Sequence, residues 1–416
     1  MTETPHDDGL GGLRRRAVWT LVAGVALAST GYIAAGTIGA IAGRNLGGSA
    51  TWAGLPSAVG VLGTAAGAVA LSALSVKRGR RDALVAGFGG GVLGGFAAVA
   101  ALGIGSLPLL LLGTAFVGVS NAAVVLSRYV GGDMFRPGER ASRIGLVVWG
   151  STAGAVVGPN LVGPSGSVAA SINLPQEAGA YLVAAVACGA AAVTALTLLR
   201  PDPARLAVAA TAVEGHGPET EVGRAGGAFR DSALTALVAL VAGQVVMVMV
   251  MAMTPLHLVN HGAHLGVVGV VLSAHTLGMF ALAPLSGRLT DRFGSRTIIL
   301  AGFGLLAVGS LVAAAAPATG VVQLVIALFL LGWGWNLGFV AASSMLAGDQ
   351  PLAARARLQG TVDAVVWTSS AASSVAAGPL LGLIGYAGLG SLAAALVVVP
   401  AIVVALRRRS FAVQRA

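Results

Sequence analysis

Apolar runs of about twenty residues recur along the whole chain, and short polar stretches separate them. A helix of about that length crosses the hydrocarbon layer of a bilayer. The pattern predicts twelve spans, which cover residues 18–40, 53–75, 83–105, 108–130, 145–163, 179–199, 233–255, 267–287, 297–317, 321–345, 361–382 and 389–406. An even number of spans places both termini on one side of the membrane.

The longest polar stretch inside the chain, residues 200–232, carries Pro, Gly and charges of both signs, which is typical of a linker. We therefore predict an N-terminal six-helix bundle at 1–199, a cytoplasmic linker at 200–232 and a C-terminal six-helix bundle at 233–416. A weak repeat supports this division, because "VVWGSTAGAVVGP", ending at Pro159, resembles "VVWTSSAASSVAAGP", ending at Pro379. Each copy follows a loop that opens with Gly-Asp. The predicted class is an all-α membrane protein of two pseudo-symmetric bundles.

Composition and charge agree with a membrane protein. Of the 416 residues, 56% are hydrophobic and 10% charged, which excludes a soluble globule of this size. The net charge of +10 does not indicate nucleic-acid binding, because the arginines are spread over many connections. Of the 25 Lys and Arg residues, only Arg44 falls in a connection assigned to the outside. We predict a monomeric multi-pass protein of the bacterial plasma membrane with cytoplasmic termini.

The connection between predicted helices 8 and 9 reads "GRLTDRFGSR". A glycine-containing turn there can hold one carboxylate among arginines, where it can cap a neighbouring helix. An ordinary basic loop that sets orientation is the alternative. This stretch resembles the motif A loop of the major facilitator superfamily at Gly287, Asp291, Arg292, Gly294 and Arg296. The resemblance implies the major facilitator fold, and a conformational latch in this loop.

The corresponding loop after helix 2, "SVKRGRRDAL", keeps Arg80 and Arg81 but has Val76 where the family's Asp stands. Asp363, near the predicted start of helix 11, carries a complementary charge. We therefore add Arg80, Arg81 and Asp363 to the latch residues, with the hypothesis that Asp363 pairs with one of the two arginines.

Helix 5 carries a series of glycines that resembles motif C of the superfamily's antiporters, with one extra residue before the last Gly. The matching residues are Gly145, Gly154, Gly158, Pro159 and Gly163. In the family this motif marks exporters. Small residues at such spacing are also common in plain helix packing, so that interpretation stays open.

No Asp or Glu falls in the middle of a predicted span, and Thr114 stands where many exporters of the family carry an intramembrane Arg. The coupling residue therefore stays unassigned. Polar and aromatic side chains in the spans are the candidates for a substrate cavity, and interhelical hydrogen bonding is their alternative role. The candidates are Tyr32, Asn121, Trp149, Gln244, Met251, His275, Trp333, Asn336 and Trp367.

Four histidines lie close together in sequence around the outer end of helix 7, and four methionines precede them. Imidazole can exchange protons near neutral pH or bind a transition metal. Without a carboxylate or thiolate nearby, solvated histidines and methionine packing are the simpler interpretation. We predict no metal site, and keep His257, His261 and His264 as the candidates for one. His275 lies deeper in helix 8.

We predict a secondary active transporter that exports small amphipathic organic compounds in exchange for protons and needs no cofactor. Its partners are a small-molecule substrate, protons and the lipid bilayer, not nucleic acid. Uptake of an organic solute and efflux of a transition metal are the alternatives. An enzyme is not expected, because the sequence has no HExxH, CxxC or Gly-Lys-Ser/Thr phosphate loop and its outer connections are short.

Overall fold

The computed structural model describes residues 5–49, 52–213, 222–262, 265–317, 320–347 and 351–406. All regular elements in these ranges are helices. They are α1 Pro5–Gly47, α2 Leu55–Arg78, α3 Arg80–Ile104, α4 Leu107–Asp133, α5 Pro137–Trp149, α6 Ser151–Ser171, α7 Ala178–Leu198, α8 Pro203–Val213, α9 Val222–Asn260, α10 Leu265–Phe280, α11 Ala283–Phe293, α12 Ser295–Ala314, α13 Val321–Met345, α14 Leu352–Leu396 and α15 Val398–Leu406.

Eleven helical stretches of the described chain are long and apolar enough to cross a membrane. The last of them, Leu352–Leu406, has 55 residues and contains both of the final predicted spans. Gly385, with φ 68° and ψ 177°, interrupts the helix between those two spans. The predicted all-α membrane fold is confirmed.

The boundaries of several predicted helices differ from those observed, and two cases matter for the site. Predicted helix 5 consists of α5 and α6, which are separated at Gly150. Predicted helix 11 begins at Leu352 and not at residue 361. Its first residues, "LAARARLQG", are too polar to register as a membrane span, but Ala, Arg, Leu and Gln all favour helix.

Two compact units make up the chain. Unit 1 contains Met1–Phe135, Leu146–His216 and Pro351–Thr368, and unit 2 contains Arg136–Gly145, Gly217–Gln350 and Ser369–Ala416. Each unit therefore includes a short segment that comes from the other predicted bundle. The division at residues 199 and 233 stays a prediction, and α8 forms a helix inside the predicted linker.

Small residues form the core of unit 1 and let its helices approach closely. Cys188 is fully buried, and its thiol lies 3.5 Å from the Ser120 hydroxyl. Gly118 of α4 packs so tightly against α2 that an added β carbon would overlap the Gly60 carbonyl oxygen. This contact requires glycine.

We expect Gly118→Leu to force α2 and α4 apart, at a cost of about 1–3 kcal/mol, which is the usual price of overpacking. Thermal unfolding of the purified protein in detergent measures the effect. Gly89→Leu is the matched control, because no atom lies within 4 Å of a β carbon built at Gly89. Equal melting temperatures for the two variants would contradict the packing.

Candidate functional site

The carboxylate of Asp291, in the last turn of α11, lies against the first turns of α5 within unit 2. It accepts hydrogen bonds from the backbone N–H of Ala141 at 3.0 Å and from that of Ser142 at 2.8 Å. The Ser142 hydroxyl donates a third bond, at 2.5 Å. Amides near a helix N-terminus carry partial positive charge, so the site favours an anion.

A glycine turn holds this carboxylate in place. Gly294 ends α11 with φ 83°, a conformation that side-chain-bearing residues rarely adopt, and its N–H bonds to the Thr290 carbonyl. Gly287 packs directly on the α5 backbone, where a β carbon would not fit. Arg296 pairs with Asp231 at 3.3 Å, and the Arg292 guanidinium lies 5.2 Å from the Phe293 ring. The latch role of these residues stays a prediction.

A glycine packs one helix backbone on another in unit 2, and an equivalent contact occurs in unit 1. Each residue of one contact lies 215 positions in sequence from its counterpart in the other. Gly145 of α5 packs against Ala283 of α11 in unit 2. Gly360 of α14 packs in the same way against Ala68 of α2 in unit 1. In each case the glycine lets two helix backbones meet, so these contacts align the two sequence halves residue by residue.

This alignment shows how the charges of the two halves differ. Val76 takes the position of Asp291, in agreement with the loss of the acid noted from the sequence. Arg357 takes the position of Ser142, the residue whose N–H and hydroxyl bind Asp291 in unit 2. A hydrogen-bonded carboxylate in one half is therefore replaced in the other by an apolar side chain beside a cation.

Other residues supply the acid in unit 1. Arg80, which is 1% exposed, pairs with Asp133 at 2.5 Å and donates to the Gln359 side chain at 2.9 Å. Arg355 also reaches Asp133, at 3.6 Å. The Ser72 hydroxyl donates to the Ala356 carbonyl. Together these contacts attach the first turns of α14 to α2 and α4.

The predicted pairing of Asp363 with Arg80 or Arg81 is wrong. Asp363 pairs with Arg128 at 2.6 Å and accepts a hydrogen bond from the Tyr129 hydroxyl at 3.2 Å. Because α14 begins at Leu352, Asp363 lies about three turns inside the helix, one turn beyond the residue that binds Arg80. Asp363 is thus a buried carboxylate in a helical stretch long and apolar enough to cross a membrane, whereas the sequence analysis placed it near the predicted start of helix 11.

Arg81 makes different contacts. Its guanidinium donates to the Leu196 carbonyl at 2.9 Å, and its backbone N–H donates to the Asp202 carboxylate at 3.0 Å. Asp202 thus fixes the turn at Gly79, whose φ is 98°. No pattern in the sequence pointed to Asp202, and Asp133 was indicated only by the repeated Gly-Asp pair.

The motif C glycines of helix 5 divide between two environments. Gly154 and Gly158 pack on the backbone of α1, near Ser29 and Thr30. An added β carbon would overlap α1 at Gly154 and would make a tight contact at Gly158. Pro159 lies inside α6, while Gly163 has no atom within 4 Å of an added β carbon. Only part of the glycine series therefore serves close packing, among the contacts that the structure describes.

A cavity of about 390 Å³ lies among α1, α2, α4 and α7 of unit 1. Its lining includes the candidate Tyr32, together with Thr114 and Tyr181, and no charged side chain lies among its described lining residues. The Tyr181 hydroxyl is buried and has no hydrogen-bond partner in the described part of the chain. A ligand in this cavity could satisfy that hydroxyl. Sequence reasoning missed Tyr181 because it gave no indication of which face of its helix is buried.

Several other cavity candidates bond to neighbouring helices. Asn121 donates to the Thr64 hydroxyl at 3.4 Å, and Asn336 donates to the Met279 carbonyl at 2.6 Å. Gln244 donates to Ser370 at 3.1 Å. These contacts fit the alternative role of interhelical hydrogen bonding.

The remaining candidates lie in mixed surroundings. His275 is buried, with Nδ1 2.9 Å from the Leu328 carbonyl oxygen. Trp149 is 40% exposed, whereas Met251, Trp333 and Trp367 are half-buried.

The histidines near the end of α9 do not form a complete cluster in the described chain. His257 stacks on Tyr386, and its ring centroid lies 4.5 Å from that of His261. The helix ends at Asn260, before His261, and His264 lies outside the described residues. No group of three or more His, Cys, Asp or Glu residues that could hold a metal occurs among the described residues.

Comparison with known proteins finds a match over the whole length of the chain. Residues 20–266 and 235–415 match the family model for the Major Facilitator Superfamily. The chain is 34% identical over 383 residues to the "Uncharacterized MFS-type transporter YdeG" of Bacillus subtilis, covering 91% of this chain and 88% of that protein. It is 29% identical over 371 residues to the "Riboflavin transporter RfnT" of Brucella anthropi, covering 88% and 90%.

Among solved structures, the human organic anion transporter MFSD10 superposes with a TM-score of 0.73 at 16% identity. The superposition covers 97% of this chain and 100% of that one. At this identity the likeness establishes the fold, with its two bundles of membrane-spanning helices.

We expect Asp291→Asn to lower the stability of the protein by about 1–3 kcal/mol, because the charge-assisted bonds to α5 weaken or are lost. Thermal unfolding in detergent again provides the measurement. Asp82→Asn is the matched control, since Asp82 is an exposed acid at the start of α3. If the two variants had the same melting temperature, the Asp291 contacts would contribute nothing to stability.

Proposed function

The chain belongs to the major facilitator superfamily, and from that premise we propose that it is a secondary active transporter that exports small amphipathic organic compounds in exchange for protons. Members of the superfamily are carriers and not enzymes, so an enzymatic function is excluded. The proposal extends to alternating access in the bacterial plasma membrane, with both termini in the cytoplasm.

The buried pair of Arg128 and Asp363 is the observation that carries the proposal. Ionisable groups within membrane spans are rare and usually mark ion pathways. Protonation of Asp363 would neutralise the carboxylate that pairs with Arg128 at 2.6 Å. Breaking such a pair costs about 3–5 kcal/mol. Proton binding would therefore favour the release of the first turns of α14 from α4.

The cavity of unit 1 supports an organic substrate of little net charge. Two tyrosine rings, those of Tyr32 and Tyr181, can stack on a planar ligand, and the free Tyr181 hydroxyl can bond to a polar group on it. Thr114 lines the cavity at the position where related exporters carry an Arg. The similarity to a riboflavin transporter agrees with this substrate class, and makes riboflavin a natural first compound to test.

Export is supported by the glycines of α6 that pack on α1, which resemble the motif of antiporters. Uptake of an organic solute is the runner-up, and metal efflux has no complete ligand set among the described residues.

A pH gradient distinguishes export in exchange for protons from uptake together with protons. An antiporter accumulates substrate in vesicles that are acid inside, because outward proton flow drives it inward, whereas a symporter needs acid outside.

The experiment is therefore a substrate screen with purified protein in proteoliposomes, with the pH gradient imposed in each direction. Riboflavin, amphipathic organic compounds, Zn²⁺, Ni²⁺ and Co²⁺ are the test substrates. Accumulation of an organic compound with acid inside supports the proposal. Accumulation only with acid outside establishes uptake, and accumulation of a metal alone refutes an organic substrate.

We expect Asp363→Asn to reduce gradient-driven accumulation about tenfold or more, because the proton-binding carboxylate is gone. Exchange of labelled for unlabelled substrate without a gradient should persist within about twofold, since this exchange needs no net proton movement. Asp363→Glu should keep coupling, and Asp82→Asn should behave as wild type. Normal gradient-driven accumulation by a folded Asp363→Asn protein would rule out this role.

We expect Tyr181→Phe to weaken substrate binding about three- to tenfold, because the hydroxyl that awaits a hydrogen-bond partner is removed while the ring stays. Tryptophan fluorescence titration with a compound identified in the screen measures the affinity. Tyr386→Phe serves as a control for loss of a tyrosine hydroxyl, since Tyr386 does not line the cavity. Unchanged affinity in Tyr181→Phe would show that the substrate does not contact this hydroxyl.

A further inference from the structure

A second cavity, of about 290 Å³, lies where the end of α2 meets the first turns of α14 within unit 1. We call it the basic groove, and its lining residues are Val69, Ser72, Ala73, Val76, Lys77, Arg357 and Thr361. The groove is separate from the tyrosine-lined cavity, with which it shares no residue.

The polar end of the basic groove is cationic. Lys77 and Arg357 are both exposed, and neither makes an ion pair within the described chain. Thr361 adds a hydroxyl, which donates to the Arg357 carbonyl at 3.0 Å. Among the residues that the structure describes, no carboxylate lines the groove. Two cations at one small opening attract an anion and, above all, a phosphate.

The comparison between the two halves explains why an anion is missing here. In unit 2 the carboxylate of Asp291 occupies the equivalent place and is bound by Ser142. In unit 1 the equivalent residues are Val76 and Arg357, so the chain supplies a cation and no anion. An anion from outside the chain would restore the charge balance that unit 2 achieves by itself.

The position of the groove indicates where that anion comes from. Lys77 is the last residue but one of α2, an apolar helix of 24 residues, so it lies at the level of the lipid headgroups. Val69, Ala73 and Val76 follow one another along one face of the helix below it, and the Val69 side chain is 51% exposed. An apolar strip that leads away from a pair of cations matches an acyl chain attached to a phosphate.

We propose that the basic groove binds an anionic phospholipid. Its phosphate lies between Lys77 and Arg357, and one acyl chain follows Val69, Ala73 and Val76. The lipid takes the place of the carboxylate that motif A normally provides, and it bridges α2 and α14.

Native mass spectrometry of the purified full-length protein, with phosphatidylglycerol added back after delipidation, tests the proposal. We expect the double variant Lys77→Gln, Arg357→Gln to bind phosphatidylglycerol about tenfold more weakly than wild type. Arg78→Gln removes an exposed charge next to Lys77 that does not line the groove, and should leave binding unchanged. Phosphatidylcholine should bind less well than phosphatidylglycerol in wild type and should be unaffected by the double variant.

The most direct test is the variant Val76→Asp, which introduces at this position the acid that unit 2 has at Asp291. We expect it to reduce phosphatidylglycerol binding as strongly as the double variant does, because the new carboxylate occupies the cationic site. Melting temperatures without added lipid establish that each variant is folded. The measurement involves no transport, so its outcome is independent of the proposed export function.

Three results would overturn the proposal. Equal loss of binding in Arg78→Gln would mean diffuse attraction to a basic surface. Competition by glycerol phosphate as effective as that by the whole lipid would indicate a site for a free phosphate. Unchanged phosphatidylglycerol binding in both the double variant and Val76→Asp would exclude the groove.

Discussion

The arrangement of charged residues in unit 1 depends on the burial of two guanidinium groups. Arg80 and Arg128 are each 1% exposed, and a charge in such surroundings must have a counter-charge or hydrogen-bond acceptors. Asp133 of α4 pairs with Arg80. On α14, Gln359 accepts a hydrogen bond from Arg80, and Asp363, one turn further along, pairs with Arg128. Two positions one turn apart on α14 therefore each contact a buried guanidinium group, that of Arg80 on α3 and that of Arg128 on α4.

The two halves of the chain solve the same packing problem with different chemistry. Both use a glycine on the incoming helix, at Gly145 and Gly360, so that backbone meets backbone. Unit 2 then fixes the contact with one carboxylate on helix amides, whereas unit 1 uses full ion pairs. Hydrogen bonds to amides depend on close geometry, and ion pairs also act over longer distances. The loss of the acid at Val76 thus changed how the contact is held and kept the backbone packing.

Much of the fold could be predicted from the sequence, because bilayer thickness imposes a single length on every span. The turn at Gly294 could be predicted for a similar reason, since few residues other than glycine accept its backbone angles. The partner of each charged residue could not be predicted from the sequence. Asp363 and Arg128 are 235 residues apart, and complementary charge alone favoured Arg80 equally.

The missed helix start explains part of that error. Hydropathy recognises the apolar centre of a span, but not the amphipathic turns that precede it. The predicted start at residue 361 placed Asp363 in the first turn of the helix, whereas the helix from Leu352 places it about three turns from the start. The cavity of unit 1 shows the same limit of prediction from hydropathy. Tyr32 and Tyr181 line one cavity because packing against neighbouring helices sets the rotation of each helix about its axis.

Cys188 has a practical consequence for studying movement. It is the only cysteine in the chain, and it lies fully buried beside Ser120. Thiol reagents therefore have no exposed native target in the folded protein. Pairs of cysteines introduced on the surface could carry spin labels or fluorophores without prior removal of native thiols, so that distances can be recorded during turnover in an otherwise natural chain.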